Sequence, residues 1–119
     1  MADVVVNDAR IKQVLPGRTT TAAYMNLRNT AGKDVALLEA RLAQASSIEM
    51  HEIVKTDGLS GMRRRPSVAL PAGTSVAFKT GGLHLMVFGV QQQLENGVDI
   101  ELCFDDDTTQ IVRFKTEAW

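Results

Sequence analysis

The sequence predicts an all-β domain, and three observations carry that prediction. Short segments alternate apolar with polar residues, the period of a half-buried strand. Val98, Ile100, Leu102 and Phe104, interleaved with Asp99, Glu101, Cys103 and Asp105, are the clearest case. Turn-forming pairs such as Pro16-Gly17, Asp57-Gly58 and Asn96-Gly97 punctuate the chain, and turns about every 8–12 residues are the spacing of β-sandwiches and barrels. The length of 119 residues is close to the commonest domain size of about 100–150. One domain over residues 1–119 is expected, with roughly eight or nine short strands in a sandwich or barrel.

Taken in order, Val4 to Ile11 begins β-branched and then alternates, which reads as an opening strand closed by Pro16-Gly17. Thr20 to Asn29 places Ala23, Met25 and Leu27 on one face and Tyr24, Asn26 and Arg28 on the other. Ala31 to Asp34 is a turn. Val35 to Leu42 is ambiguous, because its Ala, Leu and Glu also favour a helix; its length and its place among strands assign it to β. Ser47 to Val54 is a strand with Ile48 and Met50 on one face and Glu49 and His51 on the other. That alternation makes Met50, like Met25, a core residue.

Asp57-Gly58 then turns the chain into a hairpin arm bearing Met62. Ser67 to Leu70 and Ser75 to Phe78 flank the turn Pro71 to Thr74. His84 to Val90 follows Gly81-Gly82 as a strand, with Leu83, Leu85 and Val87 facing away from His84 and Met86. Gln91 to Asn96 is a polar connector, and Gln110 to Thr116 makes the last strand. Asp105 to Asp107 reads as a solvated turn, since the spacing and terminal Glu of a calcium-binding EF-hand loop are missing.

Composition narrows function mainly by exclusion. Net charge is −1, which gives no reason to expect nucleic acid or an anionic membrane as partner. No apolar run approaches the 18 or so residues of a membrane-spanning helix. The single cysteine cannot form an intramolecular disulfide. Arg63-Arg64-Arg65 has no interleaved aromatics, so it is either a charged strand edge that discourages pairing or a positive rim that steers an acidic partner.

The chemistry concentrates between Met50 and Met86, a stretch holding both histidines. His51 is followed by ten residues and Met62, then by twenty-one residues and His84-Leu85-Met86. On a strand, His84 and Met86 project to the same side. Two imidazoles with two thioethers suit a soft ion, Cu(I) above all, whereas carboxylate or water oxygens favour harder metals. The bland alternative is equally open on residue chemistry alone: methionines are common core filler, and a lone histidine in a strand is more often a hydrogen-bonded structural residue than a ligand.

This arrangement resembles the motif of the PCuAC family of periplasmic copper chaperones. The flanks agree with it: Ile48 to Glu52, Asp57 to Arg63, Leu70 to Gly73, Gly81 to Met86 and, upstream, Ala22 to Asn29. The likeness runs from about Thr19 to Ile111. It implies a cupredoxin-like Greek-key sandwich that binds Cu(I) through His51, Met62, His84 and Met86. It further implies delivery of that copper to the copper-bearing subunit of a respiratory cytochrome oxidase in the periplasm, by a chain expected to be monomeric. Met1-Ala2-Asp3 lacks the basic start and apolar stretch of a secretory signal, so the periplasmic expectation takes this chain as a mature form with a start Met added. Delivery requires access, and the four ligands are expected near a surface edge.

Rival functions have less behind them. A copper buffer or sensor without a delivery partner needs the same four ligands, and an adhesion or scaffold sandwich needs only core methionines. A blue-copper electron-transfer site would require Cys103 to join the histidines, but alternation puts Cys103 on the Asp99/Glu101 face. Catalysis is not expected: no Gly-x-Ser-x-Gly elbow is present, and neither histidine has a carboxylate partner recognisable in the sequence.

Overall fold

The computed structural model describes residues 3–118, and they form ten β-strands with no helix. In chain order these are β1 (Val4–Lys12), β2 (Thr21–Asn29), β3 (Val35–Leu42), β4 (Ser47–Thr56), β5 (Leu59–Arg65), β6 (Val68–Leu70), β7 (Ser75–Phe78), β8 (Leu83–Phe88), β9 (Val98–Phe104) and β10 (Thr109–Glu117). The all-β expectation holds, with ten strands rather than eight or nine. The ambiguous Val35–Leu42 segment is a strand because β9 and β6 pair with its two edges. Pairing partners outweigh the weak helix preference of its residues.

Hydrogen-bonded neighbours run β5-β4-β8-β7-β2-β1-β10-β9-β3-β6, and β8 also pairs with β2. Most pairs are antiparallel; β1 runs parallel to β10 and joins the two halves. The halves fold onto one another. Ile11, Met25, Leu27, Leu85 and Val87 from one half share a hydrophobic cluster with Leu37, Leu70, Ile100, Leu102 and Phe114 from the other. Each such side chain contributes about 1.5–3 kcal/mol when fully buried. Asn29 ties the halves: fully buried on β2, its Nδ2 donates to the carbonyl oxygens of Leu70 (2.8 Å) and Lys33 (2.9 Å).

Two local features set the geometry that follows. Asp57 (φ 52°) and Gly58 (φ 80°) both occupy the left-handed region, as a two-residue type I′ hairpin turn requires. Thr56 therefore pairs with Leu59, and Ile53 with Met62. On β2 the predicted alternation fails: Ala22 and Tyr24 are buried along with Ala23, Met25 and Leu27. Arg10 lies opposite Tyr24 across the β1–β2 ladder with its guanidinium 5.2 Å from the ring centroid, covering the ring as a cation–π partner. Leu94, in the predicted polar connector, is also buried; its N–H donates to Gln13 Oε1 and its carbonyl accepts from Gln13 Nε2.

Candidate metal centre

The candidate site lies on the outer face of the β5-β4-β8-β2 half, and strand register explains how it forms. Residues directly opposite in an antiparallel pair share a face, as do residues two apart in one strand. His51 on β4 is opposite His84 on β8, and Glu49 is opposite Met86. Met86 is in turn opposite Ala22 on β2. Ile53 is opposite Met62, and His51 opposite Arg64 on β5. All four predicted residues, His51, Met62, His84 and Met86, therefore share one sheet face. Met50, by contrast, faces the core and is buried, as alternation predicts.

The two imidazoles stand beside one another, ring centroids 5.9 Å apart. Two imidazoles sharing an ion through bonds of about 2.0–2.1 Å have centroids roughly 5–6 Å apart. Met62, His84 and Met86 line one cleft of about 270 Å³, whose walls include Thr21, Tyr24 and Ile53. His51 is not part of that cleft lining; its ring lies 6.3 Å, centroid to centroid, from that of Phe88. Exposure is graded across the set. His84 is buried, Met86 is half-buried, and Met62 on the edge strand is 53% exposed. The expectation of four ligands near a surface edge thus holds for Met62 and fails for His84, because β8 is flanked by β4 and β2.

Both rings are held. His84 Nδ1 lies 3.0 Å from the Gly82 carbonyl oxygen and must donate to it. His51 Nε2 lies 2.9 Å from Glu49 Oε1. This corrects the expectation that neither histidine has a carboxylate partner. Glu49 is two residues before His51 on the same face, and that spacing was the available signal. His51 Nδ1 is buried and has no hydrogen-bond partner. An unmatched buried polar atom carries a cost of about 1–3 kcal/mol, and a bare imidazole nitrogen on a ring beside a second imidazole suits a cation such as copper.

The three arginines of β5 are paired with two carboxylates of β4. Arg64 Nε is 3.6 Å from Glu49 Oε1, Arg65 NH1 is 3.1 Å from Glu52 Oε1, and Arg63 NH2 is 3.6 Å from that same atom. The run sits on an edge strand at one end of the ladder order, in keeping with an edge that resists pairing. Cys103 is on β9, in the other half of the fold, beside Glu101 and Arg41. Partial burial pushes its thiol above the ordinary value, with Arg41 opposing, so it is a poor metal-binding thiolate. Asp105 to Asp107 builds a turn: Asp105 Oδ1 accepts from the Ala36 N–H, and the Thr108 hydroxyl donates to Asp106 Oδ1. Among the described residues no cluster of three His, Cys, Asp or Glu could hold a metal. No helix among them is long and apolar enough to cross a membrane.

Comparison with known proteins bears on this geometry. The family model described as "Putative lipoprotein LpqE-like" matches residues 4–116. The chain belongs to the LpqE-like family. A relative from Leifsonia xyli subsp. xyli, named "Putative lipoprotein Lxx21020", is 32% identical over 112 residues, covering 92% of this chain and 66% of its own length. This LpqE-like chain spans 55–66% of the length of the curated relatives it matches. Among solved structures, the copper-bound PCuAC domain from PmoF2 superposes with a TM-score of 0.83 at 18% identity, covering 98% of this chain and 94% of that one. The Cu(I) form of DR1885 from Deinococcus radiodurans superposes with a TM-score of 0.77 at 28% identity, covering 95% and 76%. The LpqE-like chain thus has the cupredoxin-like fold of PCuAC domains.

Proposed function

We propose that this domain is a copper chaperone that binds one Cu(I) ion through ring nitrogens of His51 and His84 and the sulfurs of Met62 and Met86. The orphaned, buried His51 Nδ1 beside His84 is the observation that carries this reading. Donor chemistry supports it: two imidazoles and two thioethers are uncharged and soft, a set that favours Cu(I) over harder cations. The likeness to the Cu(I) form of DR1885 supports the same ion.

The gradient of exposure supports delivery. His84 holds the ion from a buried position, while the exposed Met62 is the ligand an incoming acceptor displaces first. The proposed acceptor is the copper-bearing subunit of a respiratory cytochrome oxidase, reached by the monomeric chaperone outside the cytoplasm. The lipoprotein description of the family supports that location. Imidazole must be neutral to bind, so acid competes with the metal and weakens the complex.

Competition for Cu(I) against a chromophoric chelator tests the site, using the parent and a Met62→Ala/Met86→Ala double variant. The parent binds one ion per chain, and the variant loses more than the about 10–100-fold that removal of a ligand's supporting partner costs. Binding that survives loss of both thioethers returns the methionines to a packing role. Incubating the loaded protein with a soluble copper-binding domain of the oxidase subunit then separates delivery from buffering: a chaperone transfers its copper, and a buffer retains it.

A further inference from the structure

We propose that Glu49 is a positioning residue that makes Nδ1 the copper-binding nitrogen of His51, while the Gly82 carbonyl makes Nε2 the copper-binding nitrogen of His84. The inference rests on the copper reading above and adds which atom of each ring is used and what selects it.

A neutral imidazole has one N–H donor and one acceptor nitrogen. A carboxylate oxygen only accepts, so at 2.9 Å from Glu49 Oε1 the His51 Nε2 must carry the hydrogen. The lone pair is then on Nδ1, the same atom that is buried without a partner. On His84 the hydrogen is on Nδ1, donated to the Gly82 carbonyl at 3.0 Å, and the lone pair is on Nε2. The two rings are thus held in opposite tautomers. Metal-binding histidines generally donate their second nitrogen to a carboxylate or carbonyl in this way, which fixes both tautomer and ring orientation. The asymmetry follows from the ladder. His51 and His84 are direct cross-strand partners on one face, and neighbouring rings of opposite tautomer can offer lone pairs at different reaches from their strands.

Glu49 is itself braced. Arg64, directly opposite His51 across the β4–β5 ladder, places Nε 3.6 Å from the same Oε1 that accepts from His51. The carboxylate is thereby shared between the imidazole and the guanidinium. It also places a negative charge against one imidazole of an uncharged ligand set, and Arg64 balances that charge. The Glu49 side chain is 35% exposed, so truncating it opens no core cavity.

The test is ring ¹⁵N NMR on parent, Glu49→Ala and Glu49→Gln proteins, copper-free and loaded with Cu(I), alongside the chelator competition. In the copper-free parent the His51 ring shows Nε2–H and bare Nδ1, and His84 shows the reverse. Glu49→Ala lets His51 exchange between tautomers and lowers Cu(I) affinity about 10–100-fold. Glu49→Gln keeps a carbonyl acceptor for Nε2–H and restores the tautomer and most of the affinity. On loading, the metal-induced shift falls on Nδ1 of His51 and Nε2 of His84. A His51 tautomer unchanged in Glu49→Ala, or a Cu(I) shift on His51 Nε2, overturns the proposal. The copper-free spectra report on Glu49 without metal. A parent that shows the stated tautomers yet fails to bind Cu(I) therefore overturns the copper function while leaving the hydrogen-bond assignment intact.

Discussion

Gly89 immediately follows β8, the strand that carries His84 and Met86, and replacing it with alanine should destabilise the fold through two separable effects. Its φ of +75° lies in the left-handed region, where a residue with a Cβ costs about 1–2 kcal/mol. A Cβ there would also stand 2.1 Å from Ser46 Oγ, 2.5 Å from Ser46 Cβ and 3.1 Å from Ser46 N. The hydroxyl can rotate away, but Ser46 Cβ and N move only with the backbone. That backbone is tied by the Ser46 N–H donating to the Phe88 carbonyl at 2.8 Å. Forcing an extra carbon into such a contact costs typically about 1–3 kcal/mol, so Gly89→Ala should lose roughly 2–5 kcal/mol in all. That is a large share of the about 5–15 kcal/mol of an ordinary domain. Urea unfolding reads the loss as a lower midpoint at unchanged slope. A Ser46→Gly/Gly89→Ala double variant removes the Ser46 Oγ and Cβ contacts and recovers that part of the steric cost, while retaining the conformational cost and the contact to Ser46 N. The refuting results are a Gly89→Ala loss under about 1 kcal/mol, below the cost of the left-handed conformation alone, or no coupling between positions 46 and 89.

Three further perturbations have expected outcomes. Asn29→Ala leaves the buried Leu70 carbonyl and the part-buried Lys33 carbonyl without their donor; at about 1–3 kcal/mol for the buried unmatched group, chemical denaturation should show a clear loss of stability. The Thr108 hydroxyl holds the Asp106 carboxyl below its ordinary range, so this group adds stability above the ordinary carboxylate range and loses it as pH falls through the lowered folded value. Thr108→Val should raise the Asp106 titration midpoint by NMR and trim that acid-sensitive stability, while an unmoved midpoint would show that Thr108 is not the cause. Cys103, pushed up mainly by burial, should alkylate slowly at neutral pH compared with a free thiol, and Cys103→Ser should leave Cu(I) affinity unchanged.

Much of this architecture is legible in the residues, and the reasons differ by element. β9 alternates cleanly because only one of its faces is buried, and its bounds follow directly from the pattern. β2 does not obey the rule, since Arg10 and the candidate cleft cover its second face, and neither is visible from β2's own sequence. The placement of Met62 is recoverable: a two-residue Asp-Gly turn fixes Thr56 against Leu59 and hence Ile53 against Met62, so Met62 shares the His51 face without being opposite it. The pairing of His51 with His84 is not recoverable by the same means, because β4 and β8 are separated by β5, β6 and β7 and their register is set by the fold. Glu49 is visible on the His51 face, but that its carboxylate lies against the ring and is braced by Arg64 is a fact of side-chain geometry.

The most direct measurement of the central claim is X-ray absorption at the copper edge of the Cu(I)-loaded protein, with Cys103→Ser and the Met62→Ala/Met86→Ala variant measured in parallel. A soft His/Met site predicts nitrogen and sulfur scatterers together, the sulfur signal unchanged in Cys103→Ser and absent from the double variant. A spectrum with only nitrogen and oxygen neighbours, or a sulfur signal that disappears with Cys103 instead of with the methionines, would contradict it.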